Sequence, residues 1–296
     1  MPSGSDTVST SPAARGALAA ACAYLMWGLV PLYWTRLAGI DPVELIAHRH
    51  VGSLVVVAIL VLLQGTLGEV REACTSVRIA GVHLLSGVLL TVNWLVYVWG
   101  VNTGHVIESS LGYFLVPLAN VAAGRFLLHE HLRRLQWVAI ACAAAGVVTM
   151  IAQVHRVPWI ALVLAGSFSL YGLLRKRSPL GSLTGLTVET LLLAPLAVGF
   201  LVWQHHVGRG ALGRVDTVQH VLLLAAGVIT AAPLLLFAYG ARRIRLTTLG
   251  LLQYLGPTTQ FTLGLLVYRE PFSRDRALGF VLIWVGLLLY TADNLL

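Results

Sequence analysis

Glu44, His48 and Arg49 stand together near the start of an apolar run covering about residues 43–63. Glu44 and His48 are four apart and share one helix face, while Arg49, five from Glu44, is displaced around the helix but within reach. A carboxylate, an imidazole and a guanidinium can pass a proton or hold a charged group. A charge inside a spanning helix costs roughly 2.5–3.5 kcal/mol, so it demands an explanation. Two readings stand: a proton- or substrate-responsive cluster lining a cavity, or an interfacial salt bridge that anchors a helix end. Glu189 occupies the corresponding place in a later run, which predicts that Glu44 and Glu189 belong to the outer and inner halves of one pathway.

A second group is Asn93, Trp94 and Tyr97. Asn93 and Tyr97 fall on one face with Trp94 beside it, and an amide among aromatics suits a flat, partly polar ligand. Interhelical hydrogen bonding and packing are the alternative. Further along, Glu108, Gly112, Tyr113, Pro117 and Asn120 share one run, and Gly250, Gln253, Tyr254 and Pro257 share another. Proline frees a carbonyl that water or a neighbour must satisfy, and glycine lets helices approach, so Pro117, Pro257, Gly112 and Gly250 read as kink and scaffold positions. Glu108, Gln253 and Tyr254 are costly to face lipid, and with Tyr113 and Asn120 they read as candidates for binding substrate or protons. Glu130 and Glu270 lie in short charged turns, where a carboxylate is expected to cap the next helix or pair with arginine.

Signals of catalysis are absent. No Gly-x-x-x-x-Gly-Lys phosphate loop occurs, His129-Glu130 is followed by Arg133 where a zinc protease needs histidine, and His205-His206 is an isolated pair. Cys22, Cys74 and Cys142 have no metal spacing. Neither a metal nor another cofactor is expected, and the chain does not read as an enzyme.

Composition says what must position these residues. Hydrophobic residues make up 57% and charged residues 11%, and the mean hydropathy is +0.82. The net charge of +8 is nearly all arginine, in short clusters between apolar runs. That is the arrangement of a chain in a lipid bilayer, not of a nucleic-acid binder. A span needs about 20 apolar residues. Ten runs qualify: about 16–35, 43–63, 79–99, 105–127, 132–152, 157–174, 184–203, 218–240, 246–268 and 276–293. Residues 1–14 form a tail expected to be disordered, and the breaks at about 64–78 and 204–217 read as solvated loops. Arginine and lysine favour one side by about twelve to seven, which places both termini in the cytoplasm.

The later runs repeat the earlier ones. Adding 140 carries Gly87 to Gly227, Gly100 to Gly240, Pro117 to Pro257, Glu130 to Glu270 and Gly146 to Gly286. At a slightly longer offset Trp27-Gly28 meets Tyr171-Gly172, and Val43-Glu44 meets Val188-Glu189. The expected fold is an all-α polytopic membrane protein, ten transmembrane helices as two five-helix repeats, 15–152 and 153–296. Five is odd, so the second copy enters the membrane inverted, as in secondary transporters with a central site between repeats. The copies differ at Glu108 against Thr248, Tyr113 against Gln253 and Asn93 against Pro233, where an asymmetric site is expected.

The motifs resemble those of the RarD family of permeases (chloramphenicol-sensitive protein), within the EamA-containing drug/metabolite transporter superfamily. They include Ala23-Tyr24-Leu25-Met26-Trp27-Gly28, Glu44 with His48-Arg49, Asn93-Trp94, and Glu108-x-Ser110-Leu111-Gly112-Tyr113-Phe114 with Pro117 and Asn120. Arg133-Arg134-x-Gln136-Trp137, Tyr171-Gly172-Leu173, Glu189-Thr190, Pro233-Leu234-Leu235 and Gln253-Tyr254-x-Gly256-Pro257 continue the match. One position departs: the family usually has glycine where His129 stands. The resemblance implies ten spans, a bacterial inner-membrane location and secondary transport of small organic molecules. The expected activity is drug or metabolite permeation, as an exporter working by alternating access on protons or another coupling ion. A non-transporting receptor, an intramembrane enzyme and a channel are the rival readings.

Overall fold

The structure, a computed structural model, describes residues 11–37, 39–103, 105–152, 157–267 and 274–295. Glu270 lies outside these residues. Among those described the fold is all-helical. Helix α1 spans Pro12–Trp34, α2 Pro42–Gln64, α3 Leu67–Thr75, α4 Val77–Asn102, α5 Val106–Leu127 and α6 Arg134–Ile151. Then follow α7 Trp159–Arg177, α8 Ser182–His206, α9 Thr217–Ala241, α10 Leu246–Leu252, α11 Leu255–Leu266 and α12 Arg274–Leu295. Seven of the described helices are long and apolar enough to cross a membrane. The chain is a multi-pass membrane protein.

Local chemistry sets several helix ends. Ser11 accepts from Ala14 N–H at α1, with Pro12 in the first helical position where its missing N–H costs nothing. Asp41 accepts from the N–H groups of Val43 and Glu44 at α2, and Gly65 closes that helix at a φ of 67°, the left-handed conformation glycine adopts freely.

Three elements differ from expectation. The first is residues 12–14, read as disordered tail, which open α1 because Ser11 and Pro12 supply a helix start. The segment read as a solvated loop at 64–78 contains α3. This helix is too short to span but amphipathic, burying Val70 and Ala73 while Glu69 accepts from the Thr184 hydroxyl. The run read as one helix at 246–268 is divided at Gln253–Tyr254. Pro257 has no N–H for the Gln253 carbonyl, so Gly256 N–H takes it at 3.0 Å and the turn tightens.

Helices before residue 152 pack mostly on helices after residue 157. Helix α1 lies on α9 and α11, α2 on α8 and α9, α4 on α7 and α8, α5 on α7 and α10, and α6 on α12. The core has an aromatic centre in which Tyr171 stacks on Phe237 at 5.7 Å, with Tyr24 and Phe168 against the same ring. Glycines let backbones meet within it. A Cβ on Gly112 would lie 2.7 Å from Leu164 Cβ, and one on Gly250 would lie 2.8 Å from the Pro117 carbonyl oxygen. Pro117 leaves α5 continuous.

Candidate functional site

Two adjoining cavities lie between the helices. The first is a cleft between the helices that is partly open to the outside. Helix α1 contributes Tyr24, Trp27, Pro31 and Trp34, spaced so that they share one face. Helix α4 adds Asn93, Trp94 and Tyr97, and α5 adds Tyr113. The opposite wall is Phe168 of α7, Gln253 at the helix break, and Gly256, Pro257 and Gln260 of α11. The lining is aromatic with a few amides, the composition of a small-molecule site. The rings support one another: Trp34 to Trp94 at 6.3 Å, Trp94 to Tyr97 at 6.4 Å and Tyr97 to Tyr113 at 5.3 Å.

The second cavity lies between α2, α4, α8 and α9 and includes Arg49, Ser53, Trp94, Glu189 and Thr230. Trp94 lines both cavities and separates them. The Arg49 guanidinium carbon sits 3.9 Å from the centre of the Trp94 ring and 5.1 Å from that of Trp34, and its Nε–H donates to the Thr230 hydroxyl at 2.7 Å.

The sequence-predicted residues divide accordingly. Asn93, Trp94, Tyr97, Tyr113, Gln253 and Pro257 come together around the first cavity, and Arg49 and Glu189 around the second. Asn93 donates its amide N–H groups to the Leu164 carbonyl at 2.8 Å and the Ser167 hydroxyl at 2.9 Å, fixing its place on the wall. Asn120 sits behind Gln253 and donates to its side-chain oxygen at 3.3 Å. Tyr254 is buried, its hydroxyl donating to the Phe114 carbonyl at 3.3 Å.

Glu44 and His48 face elsewhere, 3.6 Å apart, and line neither cavity. Glu44 accepts from Ala211 N–H at 2.5 Å, so it holds the loop after α8. Glu108 accepts from Ile160 N–H at 3.0 Å, at the start of α7. Glu130 caps a helix, but not the next one: it accepts from the N–H groups of Leu246 at 2.6 Å and Thr247 at 3.0 Å, at the start of α10. His129 beside it takes a φ of 55°, the conformation that glycine adopts without strain.

Glu189 gathers a buried cluster. Its Oε1 accepts from Arg175 at 3.1 Å and Ser86 at 2.5 Å, and lies 3.2 Å from His83 Nδ1. His83 and Ser86, with Trp27, Trp34 and Phe168 of the first cavity, were not candidates from the sequence. A histidine inside an apolar helix is itself a signal of function, and the α1 aromatics recur at helical spacing. Both could have been found.

The known proteins that this chain matches bear on what such a cavity is for. The sequence pattern of the EamA-like transporter family matches twice, at residues 14–152 and 157–292. The chain belongs to the EamA-like transporter family. The uncharacterized transporter YojE of Bacillus subtilis is 44% identical over 281 residues, covering 94% of this chain and 93% of its own length. Protein RarD of Streptomyces exfoliatus is 43% identical over 274 residues, covering 92% of this chain and 87% of its own length. A solved crystal structure at 20% identity has a TM-score of 0.72, covering 93% of this chain and 98% of the matched chain, a likeness of fold. This EamA-family chain is a membrane transporter.

Proposed function

We propose that the chain is a secondary active transporter of small organic molecules, an exporter that works by alternating access. The observation that carries this reading is the first cavity, because its walls come from both family-matched stretches and one wall is a broken helix. Residues from α1, α4 and α5 face residues from α7, Gln253 and α11 across the free space. Sites between repeats, at interrupted helices, are the arrangement that lets two halves rock around a fixed ligand.

Ten spans in two inverted five-helix repeats fit the packing. The seven long apolar helices, with α7, the α10–α11 pair and α12, make ten. Numbered so, the main packing pairs have counterparts five helices on: α5 with α7 mirrors α11 with α1, and α4 with α7 mirrors α9 with α1. In this reading both termini are cytoplasmic and the membrane is a bacterial inner membrane. Protons or another ion supply the energy.

Uptake and counterflow into proteoliposomes test this, using a panel of drugs and metabolites with and without a pH gradient. Saturable flux, accelerated by substrate on the far side, is expected. Failure of every compound to saturate or exchange contradicts it.

A further inference from the structure

Arg49 is 6% exposed, yet among the described residues no carboxylate lies within 4.0 Å of its guanidinium. The nearby acids are engaged. Glu44 is turned to Ala211 and His48, and Glu189, on the wall of the same cavity, is held by Arg175, Ser86 and His83. Arginine carries five N–H donors. Arg49 uses its Nε–H on Thr230, and the four on its terminal nitrogens meet no acceptor among the described residues. Two indole rings compensate part of the charge, and no counter-ion among the described residues completes it.

We propose that Arg49 receives the anionic group of the transported molecule, so that the substrates are organic anions with a flat aromatic body. This rests on the transporter reading above. A carboxylate, sulfonate or phosphate fits the guanidinium fork with two parallel N–H···O bonds, where a neutral ligand leaves it unpaired. The Thr230 hydroxyl already accepts from Arg49, so its own hydrogen is available to the same anion. The body of the ligand lies along Trp34 and Trp94, which flank Arg49 and form part of the first cavity. No carboxylate lines that cavity among the described residues, and Glu189, which lines the second cavity with Arg49, has its charge balanced by Arg175.

Thermal shift and titration calorimetry on the purified full chain in detergent test the idea without requiring flux. The probes are benzoate, phenylacetate and phenyl phosphate, set against benzamide, phenylacetamide and phenol. Each anion is expected to bind at least about tenfold more tightly than its neutral partner, that preference is expected to vanish in Arg49→Gln, and Arg49→Lys is expected to keep part of it. Equal or better binding of the neutral partners by the wild type overturns the proposal, as does the absence of binding by all three anions. A preference that survives Arg49→Gln overturns it too. Inorganic phosphate bound as tightly as phenyl phosphate removes the aromatic part. Counterflow of neutral compounds that ignores the anions defeats this inference and leaves the transporter reading standing. Anion-selective binding with no flux of any compound does the reverse.

Discussion

Gly52 of α2 and Gly227 of α9 meet backbone to backbone. A Cβ on Gly52 would lie 2.9 Å from Gly227 Cα, and one on Gly227 would overlap the Gly52 carbonyl. Ser53 beside the crossing donates to the Gly227 carbonyl at 3.4 Å. Gly227→Ala therefore has to push α2 and α9 apart, at a cost of about 1–3 kcal/mol. Gly199→Ala is the control, because a Cβ there meets nothing within 4 Å. It is expected to raise stability by up to about 1 kcal/mol through helix propensity. Thermal unfolding in one detergent compares the two.

Glu130 ties the turn after α5 to the start of α10. Its carboxylate accepts from two backbone N–H groups and from the Thr247 hydroxyl at 2.7 Å. Glu130→Ala leaves those donors unsatisfied, and a loss of about 1–3 kcal/mol is expected. His129→Gly should act the other way, by about 0.5–1 kcal/mol, since it relieves the positive φ. Opposite shifts in melting temperature from neighbouring substitutions would be hard to obtain from any general loosening of this turn.

Glu44 and Glu189 each follow a valine in matching sequence pairs, Val43-Glu44 and Val188-Glu189, but have different surroundings, so glutamine should affect them unequally. In Glu44→Gln the amide oxygen still accepts from Ala211 N–H, and stability is expected to change by under about 1 kcal/mol. In Glu189→Gln the buried Arg175 loses its counter-charge, and a loss of about 3 kcal/mol or more is expected. Adding Arg175→Met to Glu189→Gln should recover part of that loss. A double-mutant cycle followed by thermal unfolding measures it.

The helices were legible because apolar length is a strong signal, and each of the ten apolar runs falls on helix. Length alone records neither of two further features, although Pro257 marks a kink in its run. Helix α3 is nine residues long and amphipathic, and the division at Gln253 depends on which donor serves one carbonyl. The candidate site was half legible. Asn93, Trp94, Tyr97 and Gln253 have residue types that stand out in an apolar run, and they converge. Of Glu44, His48 and Arg49, the first two stay paired at 3.6 Å, while Arg49, five from Glu44, is turned to other partners. Glu44 found a loop amide 167 positions away, whereas Arg49 found two indoles. Sequence spacing fixes neighbours along a helix but not which partner lies across from it.

The central claim is that the cavity at the helix break is reached from each side of the membrane in turn. A single cysteine at Gln253 tests this most directly, in a chain whose Cys22, Cys74 and Cys142 are replaced by alanine. A membrane-impermeant maleimide is applied to right-side-out and to inside-out vesicles, and ion leak is followed in the same vesicles. Alternating access predicts labelling to completion from both faces with no leak. Labelling from one face alone would contradict the account in favour of a static receptor, and labelling from both with ion leak would make the protein a channel.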